Sequence, residues 1–166
     1  MITVVAVRGC AERALVARLL GRCSPGSVRA RLFFPEGRAL GPDVLDLLSG
    51  PADGVGYVAL DDDRPIGLAN MVPACAAHPG EGPVEFALLV ADRWRRRGIG
   101  RLLLRHAMTD PHWRGRAVTA TVQPDNRAVL RLLRAEGLAP HLVDTAPGEL
   151  YFELRPAGEP PLSVAS

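Results

Sequence analysis

The segment Glu85-Phe-Ala-Leu-Leu-Val-Ala-Asp-Arg-Trp-Arg-Arg-Arg-Gly-Ile-Gly-Arg-Leu-Leu-Leu104 constrains this chain more than any other stretch. Val84 to Val90 is an apolar run of strand length, and from Arg97 to Met108 the residues Ile99, Leu102, Leu103 and Ala107 recur at helical spacing. Between them lies an arginine-rich turn ending in Gly98-x-Gly100. A helix that starts this way leaves its first backbone N–H groups unpaired and carries about half a positive charge there, which makes an anion site. Gly98 and Gly100 lack Cβ, so a phosphate can approach the main chain, and Arg95, Arg96, Arg97 and Arg101 add charge around it. The pattern lacks the GK[ST] of a Walker loop, and Leu103 occupies the third glycine position of a dinucleotide fingerprint. A lone GxG is also compatible with a tight turn before a solvated helix, so the rest of the chain has to decide.

Ile2 to Val7 reads as a strand, and apolar residues from Ala11 recur at helical spacing up to Gly21. Ser24-Pro25 is an N-cap followed by an N1 proline, opening a helix toward Phe33, and Gly41-Pro42-Asp43 opens a helical turn ending at Ser49-Gly50. Gly54 to Val72 reads as a hairpin around an Asp61–Arg64 turn, and Pro73 to Pro83 as a loop. Ala117 to Val122 is a strand, and Asn126 to Glu136 is a helix closed by Gly137. His141 to Asp144 and Glu149 to Leu154 form a last hairpin. The predicted order is β-α-α-β-β-β-α-β-α-β-β, an α/β (α+β) domain over residues 1–155, with a disordered Pro/Gly/Ser tail at 156–166.

Composition narrows the function classes. At 166 residues the chain has room for one domain. Three cysteines without a CxxC pair argue against a disulfide framework or a structural zinc site. The four histidines show no metal-ligand spacing, so no metal is expected. No apolar run reaches transmembrane length and no secretory signal is visible, so the expected location is cytoplasmic. A net charge of +2 and a single basic patch are too little for nucleic-acid binding. All twenty basic residues are arginine, so arginine richness itself says little, and the chain has no lysine of its own to acetylate.

Two motifs together carry a resemblance. Arg95-x-x-Gly98-x-Gly100 after a strand ending at Val90 resembles the pyrophosphate loop of the GNAT superfamily of acyl-CoA N-acyltransferases. Asn126-Arg-Ala-Val-Leu-Arg-Leu-Leu-Arg-Ala-Glu-Gly137-Leu138 is similar to that family's second helix, with the alanine shifted by one residue. Within the family, the closest likeness is to the acetyltransferase domain of bacterial protein-lysine acetyltransferases. The resemblance implies a mixed, mostly antiparallel sheet splayed at its centre and flanked by helices, with acetyl-CoA as acyl donor. It implies that Leu88 and Val90 offer backbone groups to the pantetheine arm, that Arg96, Arg97, Gly98, Ile99, Gly100 and Arg101 wrap the pyrophosphate, and that Asn126 bonds the arm near the thioester. It also implies an amine acceptor, either a protein lysine or a small molecule, and a possible homodimer.

Transfer to an amine needs the free nitrogen electron pair, so a general base near the acceptor is required. Glu85, set among Phe86, Leu88 and Val90, is the expected base; Thr119, Thr121 and Gln123 on the neighbouring strand offer no carboxylate. The family's tyrosine, which protonates the leaving thiolate, is replaced by Leu133, which leaves solvent or Tyr151 for that task. Leu133 also keeps open a different class of function, a non-catalytic acyl-CoA-binding sensor. Cys75, near His78, reads as a passive loop thiol.

Overall fold

The computed structural model describes residues 1–9, 12–33, 41–50, 53–74, 80 and 82–158. Seven strands form one sheet: β1 (Ile2–Val7), β2 (Val55–Asp61), β3 (Arg64–Pro73), β4 (Val84–Val90), β5 (Val118–Val122), β6 (Leu138–Ala146) and β7 (Glu149–Pro156). Their order is β1-β2-β3-β4-β5-β7-β6. Each adjacent pair is antiparallel except β4 and β5, which run parallel and pair only at Val84–Val118 and Glu85–Thr119. Beyond those two rungs the strands part, and this is the splay at the centre of the sheet.

Side-chain alternation along each strand divides the molecule into two layers. Val55, Tyr57, Ala69, Met71, Val84 and Phe86 face one side, where they pack with α4 (Ile99–Thr109), α5 (Arg127–Ala135) and the inward residues of β5 and β7. Val7, Val58, Leu68 and Leu89 face the other side, against α1 (Arg13–Leu20), α2 (Pro25–Leu32) and α3 (Pro42–Ser49). The helix α4 lies so close to β3 that a Cβ on Gly67 would stand 2.9 Å from both Ile99 Cγ2 and Leu103 Cδ1. The buried Tyr57 hydroxyl donates to Asp110 Oδ2 at 2.6 Å and accepts from Trp113 Nε1 at 2.9 Å, which ties β2 to the segment following α4.

Two elements differ from the sequence reading. The turn expected at Pro42 is a full eight-residue helix, α3, with Pro42 in its first turn. β6 starts at Leu138 rather than His141, and so carries Pro140 within it. Proline is tolerated there because β6 is the outermost strand, with no strand partner on one side among the described residues. Residues 159–166, most of the expected tail, lie outside the described residues, as do Cys75 and His78.

Candidate active site

The parting of β4 and β5 opens a cleft of about 1750 Å³. At one end lies the turn from β4 into α4. Gly98, the N-cap of α4, has φ +84°, and Arg96 has φ +58°, a conformation uncommon for a residue with a side chain. Among the described residues, the backbone N–H groups of Arg96 to Arg101 have no backbone carbonyl partner; the first bond of the helix runs from Leu102 N to Gly98 O, at 2.9 Å. Six consecutive free donors at the start of an 11-residue helix form an anion cradle.

The two glycines serve different ends. An added Cβ on Gly98 would meet nothing within 4 Å, so its glycine answers to backbone conformation. On Gly100 it would lie 3.2 Å from both Leu88 Cδ2 and Leu132 Cδ2, so this glycine lets α4 close against β4 and α5.

The arginines of this turn divide their tasks. Arg95 donates to Ser27 Oγ at 2.6 Å and Arg97 stacks on Trp94, 5.3 Å from its ring centre. Arg101 pairs at 2.5 Å with Glu136, which Arg105 also engages. The Arg105 bond, helped by Arg101, holds the Glu136 carboxyl below its ordinary range. Arg96 stays exposed at the cleft. The side chain of Ile99 is buried in the core, so this residue can offer only its backbone to a ligand.

Asp92 fastens the turn to α2. It accepts from Ser24 N and Ser27 Oγ, both at 2.6 Å, and these bonds, Ser27 first, hold its carboxyl below the ordinary value. Ser24 is the N-cap expected from Ser-Pro, accepting from Ser27 N at 3.3 Å.

At the other end of the cleft the side chains matter. Glu85 follows the alternation of Ala87 and Leu89, so it projects to the α2 side of the sheet. Among the described residues its carboxylate has no hydrogen-bond or ion-pair partner. Its rung neighbour is Thr119, and the rung Thr121–Tyr151 brings Tyr151 to the same face. Tyr151 donates to Glu149, and that bond, with burial and the nearby charges of Glu149, Asp144 and Glu85, raises its pKa. From α2, Arg31 donates to Asn70 Oδ1 at 2.8 Å, and the buried Asn70 is in turn fixed by donating to Leu48 O at 3.0 Å. Leu88, Val90 and Asn126 line the same cleft, and the Asn126 side chain makes no capping bond to α5. Leu133 is wholly buried in the core.

An anion cradle on a strand–turn–helix, placed where two parallel strands part, narrows the choice of family. The acetyltransferase (GNAT) family profile matches residues 20–138. This chain belongs to the GNAT acetyltransferase family. No curated protein matches it by sequence. Solved acetyltransferase structures share its fold. The GNAT domain of S. lividans PAT is 22% identical, with 90% of this chain and 88% of that one covered and a TM-score of 0.74. The Paenibacillus lautus diaminobutyrate acetyltransferase, in complex with L-2,4-diaminobutyric acid and coenzyme A, is 20% identical, with coverage of 94% and 96% and a TM-score of 0.65. The putative acetyltransferase yncA of Salmonella typhimurium, with acetyl-CoA, is 16% identical, with 99% of each chain covered and a TM-score of 0.67.

The structure brings Glu85, Leu88, Val90, Arg96, Gly98, Gly100, Arg101 and Asn126 to one cleft, while the side chains of Arg97 and Ile99 turn elsewhere, Arg97 onto Trp94 and Ile99 into the core. Arg31, Glu149 and Tyr151 also line it, with the buried Asn70 holding Arg31 from behind; sequence reasoning singled out only Tyr151 of these. Among the described residues no group of three or more His, Cys, Asp and Glu is placed to hold a metal, and no helix is long and apolar enough to cross a membrane.

Proposed function

We propose that this chain transfers an acetyl group from acetyl-CoA to a primary amine by direct attack, with Glu85 as general base. The observation that carries this is the free Glu85 carboxylate at the point where β4 and β5 part, in the same cleft as the six free N–H groups. The backbone of Arg96 to Arg101 receives the pyrophosphate, and the open edge of β4 near Leu88 and Val90 receives the pantetheine arm. The Asn126 amide, unused as a cap, is available to that arm. Two similar structures carry coenzyme A or acetyl-CoA, which supports this reading.

The chemistry balances with the residues present. The amine nitrogen gives its electron pair to the thioester carbonyl carbon, the C–S bond breaks, and an amide and a thiolate result. Glu85 takes the proton that nitrogen gives up, directly or through water. The thiolate takes a proton from solvent or from Tyr151, whose raised pKa keeps the hydroxyl protonated at neutral pH.

The test is acceptor-dependent thiol release from acetyl-CoA, over a panel of amines and lysine-bearing proteins, with Glu85→Gln beside the wild type. Loss of the base should lower turnover about 10²–10⁴-fold. Binding of acetyl-CoA with no release for any acceptor would instead mark a sensor, the reading that Leu133 keeps open. No binding at all would overturn both.

A further inference from the structure

Among the described residues, a cation at the Glu85 end of the cleft makes no ion pair with the walls around it. Arg31 reaches in from α2, and one arm of its guanidinium is spent on Asn70. Its Nε is buried without a partner, and among the described residues no carboxylate lies at ion-pair distance from it. A half-buried guanidinium with a buried N–H left unpartnered gains from an acceptor brought by a ligand, and this one is held in place by Asn70, itself fixed to the main chain of α3. Burial pushes the guanidinium down to about 10, with Glu85 acting in the opposite sense, so it stays charged at neutral pH.

The sheet register says what stands beside it. Asn70 pairs with Ala87, two residues along β4 from Glu85 on the same face. The guanidinium and the free carboxylate of Glu85 therefore flank one patch of the cleft, a cation next to a base. We infer that Arg31 binds a carboxylate carried by the acceptor, so that the acceptor is a small amino-acid-like molecule whose amine meets Glu85 while its carboxylate meets Arg31. Such a molecule supplies an acceptor for the unpartnered Nε, and it matches the planar two-pronged donor that a guanidinium offers. An amine lacking the acid brings a second positive charge toward Arg31 instead. This inference rests on the proposed acetyl transfer for the role of the amine, but the carboxylate site can be tested by itself.

The experiment measures binding by calorimetry, with and without coenzyme A, for matched triplets of amino acid, amino acid amide and decarboxylated amine, over the range of side-chain types. At least one acid should bind about tenfold or more tighter than its amide and its amine. Arg31→Gln should erase that preference while leaving the affinity for coenzyme A unchanged, and in turnover the loss should fall on KM for the acid. Arg31→Lys, which keeps the charge without the fork, should retain part of it and serves if Arg31→Gln fails to fold. Equal binding of acids and amides, no binding of any acid, a preference that survives both substitutions, or efficient acetylation of internal peptide lysines would each overturn the assignment. Failure to bind coenzyme A defeats the acetyl-transfer reading instead, and the acid-to-amide ratio is still read without it.

Discussion

The two ends of the cleft are built from different material. The β4–α4 end offers main chain: free N–H groups, two residues at positive φ and a glycine that lets the helices close in. The opposite end offers side chains, Glu85 from β4, Arg31 from α2, and Glu149 and Tyr151 from β7. A main-chain site tolerates substitution of most side chains but not a change of backbone conformation, whereas a side-chain site should fail residue by residue.

Substitutions can break that contrast. The largest effect at the main-chain end is expected from Gly98→Val. A β-branched residue at φ +84° costs about 1–2 kcal/mol or more, so the turn should re-form and acetyl-CoA affinity fall about tenfold or more, as read by calorimetry. Unchanged affinity would mean that the cradle does not depend on that conformation. Arg96→Gly should do much less. It removes an exposed charge but keeps the positive φ without strain, so affinity should fall less than about fivefold and the melting temperature should hold. A larger loss would move the anion site from backbone to side chain.

The smallest effect concerns the tie between the two ends. Asp92 has a depressed pKa in the folded state, so its contribution to stability is present above its unfolded value, near pH 4, and is lost as pH falls through the folded value. Ser27→Ala removes the largest cause of that depression. Wild type should therefore exceed the variant in melting temperature at pH 7, and the gap should narrow in melts taken below pH 4. A gap independent of pH would show that the Ser27 contact acts by packing alone.

The same contrast governs what the sequence discloses. The main-chain end is local: one strand, one turn and one helix in a single stretch from Val84 to Thr109, marked by glycines and by a change of period from two to 3.6, so it is readable. Glu85 is readable as a carboxylate on an apolar strand. Arg31 is not, because an arginine in a short helix with Arg29 beside it reads as a solvated face, and only the contact with Asn70 some forty residues away turns it inward. Glu149 and Tyr151 enter because β7, not β6, is inserted next to β5, an order that hairpin periodicity leaves open. Pro140 hides the start of β6 for a similar reason, since only an edge position makes a proline acceptable in a strand.

The parting of β4 from β5 has a consequence for the thermodynamics of the whole chain. A central strand with no neighbour along part of its length behaves there like an edge, with main-chain groups left to solvent. A ligand lying in that gap takes the place of the absent strand, so its binding and the folding of the sheet become linked equilibria. The melting temperature should then climb with the logarithm of acetyl-CoA concentration, and amide exchange in the far half of β4 should slow most.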